Sequence, residues 1–327
     1  MIHKLMTQLV LAASLLQIYP YDAGAVEQNL AFPEAEYRSA VDMYEIVTLL
    51  NKPLPISADA VRQPVKVEPT SIGVVTSAVS AIVVDRETST VLFKKNSDVP
   101  RSIGSITKLM TALVFLETDP DLSAPAAIES GDLRYGGRQH LRVADDVTER
   151  DLLLASLVGS DNSATAALVR LSGMTRGDFI ARMNERGAQM GMQNTTFVDS
   201  TGLDSDNRSV VTDVVKLLDV ALENEIIREA TQRDSVTIVG DSGNAYLVES
   251  TDELLGTFVN RPPYKIVGGK TGFLPEAGYC LGTIFSEDGG REIIVVVLGS
   301  QSKEGRFHDV KALAAWAYKV YDWPDQI

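Results

Sequence analysis

Ser105 and Lys108 stand at the head of a run, Leu109-Met110-Thr111-Ala112-Leu113-Val114-Phe115-Leu116, that is apolar almost all the way round. Such a run reads as a helix buried in a protein core. Residues three apart share a helix face, so the serine hydroxyl and the lysine amine lie side by side at the first turn. Burial disfavours a charged amine, and the positive end of the helix dipole acts in the same direction. The pKa of Lys108 is therefore expected to fall toward that of a usable base. A neutral amine beside a hydroxyl can take its proton and leave an activated nucleophile. The tetrapeptide alone also fits a capping serine followed by a lysine whose stem lies along apolar surface.

Two more short motifs bear on that chemistry. Ser160-Asp161-Asn162 falls in a turn between helical segments, where a hydroxyl and an amide can point into a cleft. By itself it also fits an Asx turn or a helix cap. Lys270-Thr271-Gly272 ends an apolar strand and follows Gly268-Gly269, a pattern that also fits a strand terminus with a solvated lysine. Gly269-Lys270-Thr271 matches the end of a phosphate-binding loop, but Tyr264 occupies the position of that loop's first glycine, which removes the reading.

The elements that must position these residues can be read in chain order. Ser80–Asp85 and Thr90–Lys95 are β-rich runs around a short polar break and read as a hairpin just ahead of Ser105. From Asp119 to about Glu229 the pattern is mostly helical, with a polar, glycine-containing excursion at Gly131–Arg142. Helices are expected over Asp151–Val158, Ala164–Leu171 and Val211–Leu222, the last capped by Ser209 or Thr212. Strands return at Tyr264–Thr271, Gly278–Phe285 and Arg291–Leu298. Ile293 to Leu298 lacks alternation, so both of its faces should be covered. An amphipathic helix over Phe307–Tyr321 closes the domain. The order strands, helices, strands implies one sheet built from both ends of the domain, with a helical region inserted and a site in the cleft between the two.

The first residues look like a leader. Met1-Ile2-His3-Lys4, a short apolar stretch from Leu5 to Leu16 and Ala23-Gly24-Ala25 before Val26 describe a secretory signal peptide over 1–25. The apolar stretch is short beside the roughly 20 residues of a spanning helix, although an uncleaved anchor stays open. An N-terminal extension and linker follow over 26–74. There Pro33–Leu50 could form an amphipathic helix, and Asn51–Ser71, with Pro53, Pro55, Pro64 and Pro69, reads as an extended connector. The globular domain is expected over 75–322, with its sheet part at about 75–100 and 236–322, its helical insert at about 101–235, and a short tail over 323–327. The 327 residues carry a net charge of −14, which argues against nucleic acid or an anionic membrane surface as partner. Cys280 is the sole cysteine, so an intramolecular disulfide and a cysteine metal cluster are excluded. His140 and His308, the histidines beyond the leader, stand near none of the motifs, which argues against a histidine triad and a zinc site.

Taken in order, Ser-x-x-Lys, Ser-x-Asn and Lys-Thr-Gly form the pattern of penicillin-recognising serine enzymes. The chain resembles the low-molecular-mass penicillin-binding proteins, the D-alanyl-D-alanine carboxypeptidase and endopeptidase family. The flanks match too: Arg101-Ser102-Ile103-Gly104, Thr201-Gly202-Leu203 with Asn207, and Phe273-Leu274-Pro275-Glu276-Ala277-Gly278 after the third motif. The likeness runs from about Val75 to Tyr321. It implies an α/β (α+β) fold of the β-lactamase/transpeptidase type, with a mainly antiparallel sheet flanked by helices. It also implies an exported, periplasmic or extracytoplasmic enzyme that acts on peptidoglycan stem peptides, takes β-lactams as covalent inhibitors, and uses neither metal nor cofactor.

The resemblance further implies roles. Ser105 attacks the carbonyl between two terminal D-alanines while Lys108 takes its proton. Ser160 and Lys270 relay a proton to the leaving amine, and either lysine is a candidate base at each step. Asn162 positions the acyl-side amide and holds Lys108. Thr271 binds the substrate carboxylate, and Gly272 and Phe273 line the strand edge, with the N–H groups of Ser105 and Phe273 receiving the oxyanion. Arg306 matches a position that assists carboxylate binding, though it equally fits a surface arginine. A class A β-lactamase would need a Glu-x-x-Leu-Asn loop; the stretch Gln193–Asn207 holds Phe197-Val198-Asp199-Ser200-Thr201-Gly202-Leu203 instead. A non-catalytic binder of peptidoglycan or β-lactams is disfavoured because all the reactive side chains are there. The chain stops soon after Tyr321, without the second β-domain and C-terminal membrane anchor of many family carboxypeptidases. That absence, with Ser-Asp-Asn and the Phe-Leu-Pro-Glu-Ala-Gly run, leans toward the endopeptidase-like branch.

Overall fold

The structure, a computed structural model, describes residues 62–288 and 290–323. The leader expected over 1–25, the helix expected over Pro33–Leu50 and the last four residues lie outside the described residues. In chain order the elements are β1 (Val65–Lys66), β2 (Ser80–Asp85), β3 (Val91–Lys95), α1 (Thr107–Leu116), α2 (Glu149–Leu157), α3 (Asn162–Leu171) and α4 (Arg176–Gln189). Then come α5 (Val211–Glu223), α6 (Glu225–Thr231), β4 (Ser235–Val239), β5 (Ala245–Glu249), β6 (Tyr264–Leu274), β7 (Gly278–Glu287), β8 (Arg291–Ser300), α7 (Lys303–Val320) and β9 (Tyr321–Asp322).

Five strands make an antiparallel sheet in the order β6-β7-β8-β2-β3. Strands from the two ends of the domain thus share one sheet, joined where β8 pairs with β2. The continuous apolar run of β8 has the expected cause. Ile294, Val296 and Leu298 pack into a core shared with α1, α3 and α5, whereas Ile293, Val295 and Val297 pack against Phe307, Val310 and Leu313 of α7. The sheet is the middle layer, with α7 on one face and the helical region on the other.

Helix starts follow capping chemistry in most places. Thr148 caps α2 in a reciprocal box with Asp151, Asp161 caps α3 through the N–H groups of Ser163 and Ala164, and Ser302 caps α7 through Gly305 N. The cap expected at Ser209 or Thr212 is absent: Val210 occupies the N-cap of α5 without a side-chain bond. The Ser209 hydroxyl is committed instead to Thr195 Oγ1 at 2.7 Å.

Two boundaries differ from expectation. Within the stretch read as a connector, β1 pairs with β9, and Ser71 Oγ accepts from Trp316 Nε1 at 2.8 Å, so packed structure begins before residue 75. Residues 235–249, placed by the pattern near the start of the second sheet part, form a hairpin that pairs only with itself. Asp145 ties its turn to the helical region by accepting from Ser242 N at 3.1 Å and Ser242 Oγ at 2.6 Å.

Asp309 on α7 holds the chain entering β2. Its carboxylate accepts from Ser77 N at 2.8 Å, Ser77 Oγ at 2.7 Å, Ala78 N at 2.9 Å and Ser300 Oγ at 2.8 Å. Removing it strands these donors, two of them buried, so Asp309→Ala is expected to lower the unfolding free energy by about 2–4 kcal/mol. A fall in the urea midpoint at unchanged slope is the readout.

Candidate active site

A 3-10 turn over Gly104–Ile106 feeds α1 and carries Ser105 on a left-handed glycine, φ +52° at Gly104. The turn sits hard against β6. A Cβ on Gly104 would lie 2.8 Å from Phe273 N, and one on Gly272 would lie 2.3 Å from Ile103 O and 3.3 Å from Ser105 N. Glycine at both places lets the backbones of the nucleophile turn and the strand approach, which brings the amides of Ser105 and Phe273 to one spot.

Lys108 is fully buried, and its Nζ meets Ser105 Oγ at 3.0 Å, Asn162 Oδ1 at 2.6 Å and the carbonyl of Thr201 at 2.6 Å. Burial lowers its pKa to about 7, against a smaller upward pull from Asp199 and Asp161. Two of the three partners can only accept. A neutral amine has two N–H bonds for Asn162 and Thr201 and one lone pair left for the serine proton.

The Thr201 carbonyl is held by a buried network. Asp199 accepts from Gly202 N at 2.8 Å, Thr201 Oγ1 at 2.6 Å and Asn207 Nδ2 at 2.7 Å, while Asn207 Oδ1 accepts from Val198 N at 2.7 Å. Asn207 also donates to Thr107 Oγ1 on α1 at 3.1 Å. The sequence assigns Asp199 no role, although Thr201-Gly202-Leu203 and Asn207, which follow it, match the family flanks.

Ser160 takes a left-handed conformation, φ +59°, in the turn before α3. Its hydroxyl lies 3.0 Å from Lys270 Nζ. Lys270 is buried, and its amine is pushed well below the ordinary lysine range by burial first and then by the charges of Lys108 and Arg306. Asp161 faces inward: besides capping α3 it accepts from His140 N at 2.7 Å, and the His140 ring nitrogen Nδ1 lies 3.7 Å from it. His140 therefore stands beside the second motif, contrary to the sequence reading, because the Gly131–Arg142 excursion folds back onto that turn. Its ring contacts Asp161 and the space a Gly159 Cβ would fill, and its bonds do not reach Ser105.

On β6, Thr271 Oγ1 lies 2.6 Å from Thr251 Oγ1, a residue outside every motif. Arg306 is 5% exposed and so is no surface arginine; Nη1 donates to the Gly272 carbonyl at 3.2 Å and its guanidinium stacks 4.6 Å from the Phe307 ring. Phe273 is about half exposed and stacks on Tyr279 at 4.4 Å. Asp252, next to Thr251, is buried and its carboxyl is pushed up to about 6, chiefly by burial, with Arg306 and Lys270 opposing. The nine expected residues thus gather in one contiguous cluster, linked through Lys108 to Ser105 and Asn162, through Lys270 to Ser160 and through Arg306 to Gly272, with Thr251, Asp252, Asp199 and Asn207 beside them. Among the described residues, no group of three or more His, Cys, Asp or Glu side chains could hold a metal ion, and no helix is long and apolar enough to cross a membrane.

A family model described as D-alanyl-D-alanine carboxypeptidase matches residues 65–302. Among curated proteins, the D-alanyl-D-alanine endopeptidase of Pseudomonas aeruginosa is 32% identical over 240 residues, which is 72% of this chain and 76% of that protein. The D-alanyl-D-alanine carboxypeptidase of a Streptomyces species is 30% identical over 262 residues, 75% of this chain and 88% of that one. Among solved structures, the Streptomyces K15 DD-transpeptidase superposes with a TM-score of 0.70 at 30% identity, covering 76% of this chain and 100% of that one.

Proposed function

This chain belongs to the D-alanyl-D-alanine carboxypeptidase family of serine hydrolases, and from that premise we propose that it cleaves the D-alanyl-D-alanine bond of peptidoglycan stem peptides through an acyl-enzyme at Ser105. The observation that carries the reading is the valence count at Lys108, whose two obligate acceptors leave a lone pair for the Ser105 hydroxyl. In the acylation step the Ser105 proton passes to Lys108 as Oγ bonds to the carbonyl carbon. The C–N bond then breaks and the amine leaves with a proton passed along Ser160 and Lys270. Water later attacks the ester, regenerating the serine and releasing the shortened peptide. The Ser105 and Phe273 amides would receive the oxyanion, and Thr271 the terminal carboxylate.

The name of the Pseudomonas aeruginosa relative, D-alanyl-D-alanine endopeptidase, favours a second reading, in which the leaving amine belongs to a cross-link. β-Lactams should acylate the same serine and stay attached, because Asp199, the buried one of the three acids in the Gln193–Asn207 stretch, is committed to the N–H and O–H groups around it, and Asp204 and Asp206 are exposed. Asp199 is thereby unavailable to activate deacylating water in the manner of the class A β-lactamase glutamate. The leader-like first 25 residues support export, with the enzyme working outside the cytoplasm.

Labelled penicillin is expected to form one covalent adduct, located by mass spectrometry at Ser105 and lost in Ser105→Ala; an adduct that survives the substitution sinks the assignment. Digestion of purified muropeptides separates the two readings. Loss of one alanine mass from pentapeptides marks a carboxypeptidase, and conversion of cross-linked dimers to monomers marks an endopeptidase.

A further inference from the structure

Thr251 belongs to no motif, yet it touches the segments that carry two of them. Its N–H donates to the Val158 carbonyl at 3.2 Å, just ahead of Ser160, and its hydroxyl lies 2.6 Å from that of Thr271. Its own carbonyl accepts from Arg306 Nη2 at 3.5 Å, while Nη1 of the same guanidinium holds the Gly272 carbonyl. A residue between β5 and β6 is thereby fixed to the second motif, the third motif and the buried arginine at once.

The hydroxyl pair has unused capacity. Two hydroxyls own two protons, and one hydrogen bond between them consumes only one, so the acceptor's proton is free to point outward. An incoming carboxylate can do better by drawing both protons to itself. Two O–H donors 2.6 Å apart suit the two oxygens of one carboxylate in the parallel, bidentate manner that makes charge-assisted hydrogen bonds strong. The surroundings favour an anion. Arg306 is 5% exposed, and its Nε is buried without a partner. Lys270 follows one residue before Thr271. Opposing them, Asp252 is buried, with Oδ1 accepting from Leu254 N at 3.0 Å and Oδ2 unpartnered.

We infer that Thr251 is a substrate-binding residue, working with Thr271 as a two-hydroxyl receptor for the terminal carboxylate of the D-alanyl peptide. The inference rests on the reading of the cleft as a D-alanyl-D-alanine peptidase site. It assigns to Thr251 a share in specificity: the pair grips ligands that end in a free carboxylate and gives little to the same ligands capped as amides. Thr251→Val keeps the β-branched shape and the backbone bonds while deleting one donor, and Thr251→Ser restores the donor.

The test is equilibrium binding on a Ser105→Ala background, by calorimetry, of an N-acylated D-alanyl-D-alanine peptide and its C-terminal amide. The acid is expected to bind about 10- to 100-fold more tightly than the amide. Thr251→Val should remove most of that preference by weakening the acid alone, and Thr251→Ser should retain it. A structural role would weaken both ligands together. Equal or undetectable affinity for the two peptides, or a preference that survives Thr251→Val, overturns the inference. Turnover of the acid peptide by the enzyme with Ser105 intact is followed alongside. Absent turnover with the preference preserved refutes the peptidase reading and leaves the receptor standing; turnover without preference does the reverse.

Discussion

Lys108→Met is expected to slow penicillin acylation of Ser105 by about 100- to 10,000-fold, the range contributed by a positioned general base. Methionine nearly fills the volume of the lysine and stays apolar, so the loss reads chemistry more than packing. Two carbonyl oxygens, Asn162 Oδ1 and that of Thr201, do lose their donor, which makes a cooperative thermal transition a necessary control. The pH profile supplies the sign. The amine must be neutral to accept the serine proton, and burial brings its pKa down to about 7. Acylation should therefore fall about tenfold per pH unit below that point and level off above it. A rate flat between about pH 5 and pH 9, or an acid limb that persists in Lys108→Met, would remove Lys108 from the role of base.

Gly202→Ala should be nearly as damaging although it adds a single methyl group. Gly202 has φ +84°, and its Cβ would lie 2.1 Å from the Gly104 carbonyl oxygen and 2.8 Å from Ser105 N. The nucleophile turn cannot retreat, because Gly104 already abuts Phe273 N on β6. The methyl must instead push away the segment whose Thr201 carbonyl holds Lys108. A cost of about 2–4 kcal/mol in stability is expected from the clash and the left-handed backbone, with about a 100-fold loss in acylation from displaced groups. Gly256→Ala, where nothing lies within 4 Å, should change neither by comparison. Equal urea midpoints and equal acylation rates for the two variants would show that the close approach is not needed.

Much of this site was legible in the sequence because the reacting groups come in short local motifs. Ser105 and Lys108 share a helix turn, Ser160 and Asn162 flank one turn residue, and Lys270 and Thr271 are neighbours on a strand. The unalternating run of β8 likewise announced a strand covered on both faces. The remaining residues of the site depend on distant partners. Asp199 acquires its place from N–H groups that the chain wraps around it, and Thr251 from a strand twenty residues on. His140 reaches Asp161 only because a glycine-containing excursion doubles back. The prolines at 64 and 69 argued for a connector, but the short strand between them finds a partner at the far end of the domain. The Ser209 cap failed for a related reason, since a nearby threonine claimed the hydroxyl.

The strand order also has a consequence in time. The β2–β3 hairpin is made early and joins the sheet only through β8, where Val84 pairs with Ile294, about 200 residues later. Until that late strand emerges, the hairpin carries apolar side chains on both faces and an open edge. A chain delivered amino end first cannot finish its central sheet during delivery, and the loop that must close spans nearly the whole domain. Folding should accordingly be slow and post-translational, with the hairpin sheltered meanwhile by a chaperone or by transient contacts with the helical region. The serine nucleophile, which follows the hairpin directly, is expected to become reactive only after β8 has closed the sheet.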